Sequence, residues 1–129
     1  MKPTRCTTLS LALAVAALAP TAAIAKHGGG DAKRVAGTCS GAATAHLKVK
    51  HDNSRLETEF EVDQNRAGVT WKVTIRDNGA RVVNTRATTH APSGSFSVER
   101  RLRDRGGSDR IRARATSPSG EVCRASVSV

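Results

Sequence analysis

Residues 55–63 read RLETEFEVD, and apolar or small side chains alternate there with acidic ones. Alternation with a period of two is typical of a β-strand that buries one face and exposes the other. The pattern predicts that Leu56, Thr58, Phe60 and Val62 point into a core and that Glu57, Glu59, Glu61 and Asp63 face solvent. This segment is therefore predicted to be a strand in a half-buried sheet.

The same alternation, interrupted by turn residues, continues over most of the chain that follows. We predict seven strands, at residues 44–51, 55–63, 69–76, 81–89, 95–103, 110–116 and 121–129. Asn78-Gly79 predicts a tight hairpin, because a type I′ turn needs positive φ at both central positions. The fourth strand is polar and alternates poorly, which favours a sheet edge. Seven short strands separated by frequent turns predict an all-β, antiparallel seven-stranded sandwich.

The first 25 residues have the three parts of a secretory signal peptide. Lys2 and Arg5 give a basic start, residues 9–19 are an apolar run, and an alanine-rich end supplies small residues for cleavage. A transmembrane anchor is disfavoured, because a membrane span needs about 20 apolar residues and this run is shorter. Cleavage would leave a secreted chain with 19 basic and 11 acidic side chains, since the leader removes two of the 21 basic ones.

Composition divides the secreted part into an arm and one domain. Residues 26–38 contain three consecutive glycines and almost no apolar side chains, so we predict a flexible arm. Residues 39–129 remain for the sandwich, and a chain of 129 residues has room for one domain only. Multidomain machinery is thereby excluded.

Removal of the leader also removes Cys6, which leaves Cys39 and Cys123. Two cysteines in a small exported domain favour a disulfide, with free thiols or an intermolecular bridge as the alternatives. The disulfide in turn favours seven strands, or at least an odd number of strands. If successive strands run antiparallel, the first and seventh begin at the same end of the molecule, where these two cysteines lie.

The domain resembles immunoglobulin-like and fibronectin type III sandwiches. Trp71 takes the place of their core tryptophan, and residues 109–115 with the corner SPSG at 117–120 match their last hairpin. Residues 55–71 and the segment APSGSF at 91–96 also resemble small secreted actinobacterial proteins. The resemblance implies an immunoglobulin-like sandwich with strands one, two and five in one sheet and three, six and seven in the other. It implies a secreted protein and no activity.

Candidate catalytic and metal-binding residues are few. The acidic row from Glu57 to Asp63 could supply a glycosidase carboxylate pair, but charged outer strand faces are usually just solvated. His46, His51 and His90 lack metal-ligand spacing, and Lys26-His27 offers only the weak copper motif that any histidine at the second position gives. We therefore predict no enzyme, no cofactor and no metal.

Arginine supplies most of the positive charge and is dense in residues 100–114. The implied strand order places Lys48, Lys50, Arg101 and Arg103 beside the acidic row, so that one outer face is balanced. It gathers six other cations on the other outer face, as a predicted anion-binding set: Lys72, Arg76, Arg110, Arg112, Arg114 and Arg124.

Such a face suits a polyanion, because arginine forks pair with phosphate and carboxylate. A wall polymer, an acidic glycan or a nucleic acid would qualify, although nucleic-acid stacking platforms normally carry exposed aromatics. The first alternative is that the charge only maintains solubility. The second is a secreted inhibitor or effector that presents a loop, at residues 89–95 or 103–109.

Overall fold

The computed structural model describes residues 31–129 and shows a sandwich of β-strands with no helix among them. The predicted signal peptide, residues 1–25, and the first part of the predicted arm, residues 26–30, lie outside the described residues. The nine strands of the described part are β1 (Lys33–Ala36), β2 (Thr38–Cys39), β3 (Thr44–Asp52), β4 (Arg55–Asp63), β5 (Thr70–Asp77), β6 (Ala80–Thr88), β7 (Ser95–Arg103), β8 (Arg110–Thr116) and β9 (Val122–Ser128).

The strands form two sheets in which every pairing is antiparallel. One sheet has four strands in the order β1-β3-β4-β7, and the other has five in the order β2-β9-β8-β5-β6. Their inner faces bury the apolar half of each alternating strand, with Trp71, Phe60 and Leu56 among the fully buried side chains. The indole Nε1 of Trp71 donates a 2.7 Å hydrogen bond to Gln64, which satisfies the one polar atom of this core side chain.

Two of the nine strands correct the expectation of seven. Both lie in or at the end of the segment predicted to be a flexible arm, since β1 pairs with β3 and β2 pairs with β9. β1 is stabilised as a strand by Val35, which stands opposite Leu47 and is partly buried against the core. Between the two strands the chain passes from one sheet to the other, and the amide of Gly37 donates to the carbonyl of Ala45.

The predicted fourth strand is β6, and it forms an edge of the five-stranded sheet. Its hairpin with β5 turns at Asn78 and Gly79, whose φ angles of 47° and 88° are both positive, as the turn prediction required. The pairing of β5 with β6 contains a register shift at Ile75/Arg76, where β6 accommodates one extra residue. This bulge explains why the sequence of β6 alternates poorly.

The predicted disulfide between Cys39 and Cys123 is confirmed. The two residues are paired partners on β2 and β9, with their Cα atoms 4.0 Å apart. The bond therefore fixes the short β2 strand to the edge of the five-stranded sheet. Within residues 31–129, the structure contains no helix with the length and apolar character needed to cross a membrane.

Candidate anion-binding face

The outer face of the five-stranded sheet carries the six predicted anion-binding residues, and we refer to it as the cationic face. Their strands alternate strictly, and the buried partners on the same strands, such as Val73 and Ile111, anchor them in the core. All six side chains are exposed and line one shallow groove of about 910 Å³: Lys72, Arg76, Arg110, Arg112, Arg114 and Arg124. The structure therefore brings the whole predicted set together.

Strand β6 adds two cations that the sequence analysis missed. Arg86 is the paired partner of Lys72, and Arg81 is the paired partner of Arg76. These two arginines are an odd number of positions apart, so strict alternation would place them on opposite faces. The bulge in β6 returns both to the cationic face, and a bulge of this kind leaves no clear signal in the sequence beyond broken alternation.

Like charges oppose each other directly across the strands of the cationic face. Arg76 is paired with Arg112, Arg114 with Arg124, and Lys72 with Arg86. The described residues that line the groove include no acid, and none of the ion pairs found within residues 31–129 involves the six predicted cations. Directly opposed like charges destabilise a sheet. The arrangement thus works against folding rather than for it.

The outer face of the four-stranded sheet, called here the balanced face, has the opposite character. Lys48 stands opposite Glu59 with a 3.5 Å ion pair, and Arg101 stands opposite Glu57 with one of 2.8 Å. Arg101 also reaches Asp52 at 3.2 Å. The hydrogen bond from Arg101 holds the pKa of the Glu57 carboxyl below its ordinary value. Most charges on this face neutralise each other across strands, as the sequence analysis predicted. Arg103 is the exception among the predicted cations, because it stands opposite Arg55, and Glu59 likewise stands opposite Glu99.

The candidate carboxylate pair of the balanced face lies on an open surface. The side chains of Glu57 and Glu59 are 39% and 29% exposed, and both are occupied by ion pairs with basic neighbours. A general acid in glycoside cleavage needs a raised pKa, whereas the pKa of Glu57 is lowered. The geometry gives no support to hydrolysis at these residues.

The two predicted presenting loops are largely tied to the scaffold. In residues 89–95, Thr89 is buried and its hydroxyl donates to the carbonyl of Arg66 at 2.6 Å, while the amide of Gly94 donates back to His90 at 2.7 Å. In residues 103–109, the amide of Gly106 donates to Asp104 at 3.0 Å, and Asp109 is fully buried. Only the tips, residues 90–93 and 105–108, are exposed throughout.

A pair of buried carboxyl groups, Asp77 and Asp109, lies where β5 ends and β8 begins. Asn78 donates to one oxygen of Asp109 at 3.1 Å, but Asp109 Oδ2 and Asp77 Oδ1 have no hydrogen-bond partner within the described part of the chain. Burial raises the pKa of Asp109, and the neighbouring carboxylates of Asp77 and Asp104 raise that pKa further. A proton on Asp109 would satisfy both unpaired oxygens, because it lets Asp109 donate to Asp77.

The structure provides no open metal centre in residues 31–129. The only cluster of three candidate ligands there is Cys39, Glu121 and Cys123, and its two sulfurs are joined in the disulfide, so they cannot act as thiolate ligands. Glu121 instead accepts a 2.9 Å hydrogen bond from the amide of Ala43. The Lys26-His27 copper motif lies outside the described residues.

The described part of the chain is thus a β-sandwich with one disulfide. One of its outer faces is cationic, and on the other most charges are balanced. The chain matches no protein-family model, no curated protein and no solved structure.

Proposed function

We propose that this protein is a secreted, non-enzymatic binding module that holds polyanions on its cationic face. The observation that carries the proposal is the set of directly opposed cations, Arg76 with Arg112, Arg114 with Arg124 and Lys72 with Arg86, over a groove whose described lining contains no acid. A wall polymer, an acidic glycan and a nucleic acid all present the repeated negative charge that such a face attracts.

The comparison of the two outer faces favours binding over mere solubility. A solubilising charge works on either face, and the balanced face shows that the sheet can intersperse acids such as Glu57 and Glu59 among its bases. On the cationic face, by contrast, no acid in the described lining offsets the repulsion between its directly opposed cations. A bound polyanion would remove that repulsion, because each guanidinium fork then pairs with an anionic group.

We also propose that the sandwich has an immunoglobulin-like strand arrangement. In support, β3, β4 and β7 lie in one sheet while β5, β8 and β9 lie in the other, which is the grouping that the sequence resemblance implied. β6 adds an edge to the second sheet, and β1 and β2 extend one sheet each. The disulfide is compatible with the proposed secretion, since extracellular conditions preserve such bonds.

The proposal is tested by reversing two adjacent arginines of the cationic face. Arg112→Glu with Arg114→Glu should fold at least as well as the wild type, because each glutamate would face an arginine across the strands, Arg76 or Arg124. A charge-assisted contact contributes about 1.5 kcal/mol, so the loss of two should weaken binding to a sulfated polysaccharide about a hundredfold. Retention on such a resin, over a salt gradient, measures the change.

The matched control reverses the same number of charges on the other sheet. Arg100→Glu with Arg103→Glu changes two exposed arginines of β7, neither of which takes part in an ion pair within the described residues. If net charge alone governs binding, the two double variants will elute at the same salt concentration, and the proposed face is refuted. A steep loss confined to the β8 variant supports it.

A further inference from the structure

The centre of the cationic face is a threonine surrounded by donors. Thr74 stands opposite Arg114 on one side and opposite Asn84 on the other, and Lys72 and Arg76 are its neighbours two residues away along β5. Paired side chains start about 5 Å apart and neighbours on one strand about 7 Å apart, so these long or polar side chains can reach the space above Thr74. Arg76 does so with the nitrogens that remain after its Nη1 donates to the Gly79 carbonyl at 3.0 Å. Thr74 and these four neighbours line the same groove.

The Thr74 hydroxyl makes no hydrogen bond within residues 31–129, unlike several other threonines of the sandwich. Thr58 donates to a backbone carbonyl, Thr70 and Thr88 bond to each other, and Thr89 bonds to a loop. Thr74 is half-buried at the floor of the groove. It therefore offers a free donor beneath three cations, which is an arrangement suited to one compact anionic group.

We propose that Thr74 and its ring of donors form a discrete subsite for a tetrahedral oxyanion ester, a sulfate or a phosphate monoester carried on a polysaccharide or polyol chain. The inference rests on the proposed polyanion-binding function and specifies the group that is recognised. A carboxylate has two oxygens in one plane, and a guanidinium fork occupies both. An ester with three free oxygens can meet the arginine forks with two and reach down to the Thr74 hydroxyl with the third.

Nucleic acid fits this subsite less well for two reasons. Its internal phosphodiesters have only two free oxygens each, so one oxygen would have to serve both an arginine and the threonine, whereas a terminal ester has a third oxygen for the threonine. In addition, the aromatic side chains of the chain, Trp71, Phe60 and Phe96, are all buried, so the cationic face has no platform on which bases could stack. Recognition must then come from the charged group itself.

Three polymers that share one backbone test the subsite: dextran sulfate, dextran phosphate and carboxymethyl dextran, matched in length and charge density. We expect the wild type to bind at least one of the ester polymers about tenfold more tightly than the carboxylate polymer, since one further hydrogen bond to a charged group gives about that factor. The ratio between the two ester polymers identifies which ester is preferred. Duplex DNA of matched charge should bind less tightly than the preferred ester polymer.

Thr74→Val keeps the β-branched shape and strand propensity of the side chain and replaces the hydroxyl with a methyl group, which cannot donate a hydrogen bond. The variant should lose the preference for ester polymers and keep the wild-type affinity for carboxymethyl dextran. The control is Thr44→Val, at an exposed position of the balanced face, which should change neither the preference nor the affinity. A wild type without preference, a preference that survives Thr74→Val, or tighter binding to DNA would overturn the subsite. Loss of binding in the β8 double variant would still uphold the cationic face. If the wild type binds none of the polymers, the proposed function itself fails.

Discussion

Replacement of Asp109 by asparagine should stabilise this protein at neutral and alkaline pH. Asp109 and Asp77 are both buried, and each has one carboxyl oxygen without a hydrogen-bond partner in the described structure. Asparagine at position 109 can keep its oxygen toward Asn78 and turn its amide toward Asp77. The substitution thus removes a buried negative charge and supplies the missing donor in one step.

The magnitude follows from the unpaired oxygens. A buried polar atom without a partner costs about 1–3 kcal/mol, so Asp109→Asn should raise the free energy of unfolding by that amount at pH 8. The folded-state pKa of Asp109 is raised above the ordinary value of about 3.9. Folding of the wild type therefore favours the protonated carboxyl, and its stability falls as pH rises through the folded pKa. Below pH 4 the gain from the variant should disappear.

Urea unfolding, followed by the fluorescence of the buried Trp71, measures the difference at several pH values. Comparison of variant and wild type at the same pH cancels the contributions of the titratable groups that do not interact with residue 109. Asp31→Asn, at an exposed position, serves as the control. The reasoning is refuted if Asp109→Asn is less stable than the wild type at pH 8, or if the difference between them does not change from pH 4 to pH 8.

Two further predictions concern the scaffold. Replacing Cys39 and Cys123 together by alanine should lower the free energy of unfolding by about 4.5 kcal/mol, because the bond closes a loop with a sequence separation of 84. Urea unfolding measures this change, and a decrease of under about 1 kcal/mol would contradict the prediction. Gly94→Ala should cost more than about 1 kcal/mol, since Gly94 has a φ of 71° and a Cβ there would overlap the backbone of the β4–β5 connection. Gly79→Ala is the matched control, because Gly79 also has a positive φ but a Cβ there would meet no atom within 4 Å. Thermal unfolding should show a smaller loss of stability for this control than for Gly94→Ala. Equal losses of stability would mean that packing at Gly94 plays no part.

Strand faces were predictable from the sequence because alternation is a local property. Each side chain of β4, β5 and β8 points where the period of two places it, which assigned Arg112 and Arg114 to solvent and Ile111 to the core. The disulfide was also predictable, since only Cys39 and Cys123 remain once the predicted leader is set aside. Both inferences required no knowledge of pairing register.

Other features could not be read from the sequence because they depend on contacts between distant segments. β1 is a strand only because Val35 finds Leu47 across the sheet edge, and an isolated glycine-rich segment gives no such indication. Asp77 and Asp109 look like ordinary polar turn residues at the ends of two strands. Their burial beside each other arises only when β5 and β8 pair.

The sequence by itself therefore determined the all-β class, the disulfide partners and the sign of the charge on the outer sides of β4, β5 and β8. Tertiary structure decided which strands are neighbours and in what register, and so placed Thr74 among Lys72, Arg76 and Arg114. It also brought Arg81 and Arg86 to the same face through a bulge. The physical reason is that side-chain alternation follows from the geometry of one extended chain, whereas register is fixed by the packing of strands that lie far apart in sequence.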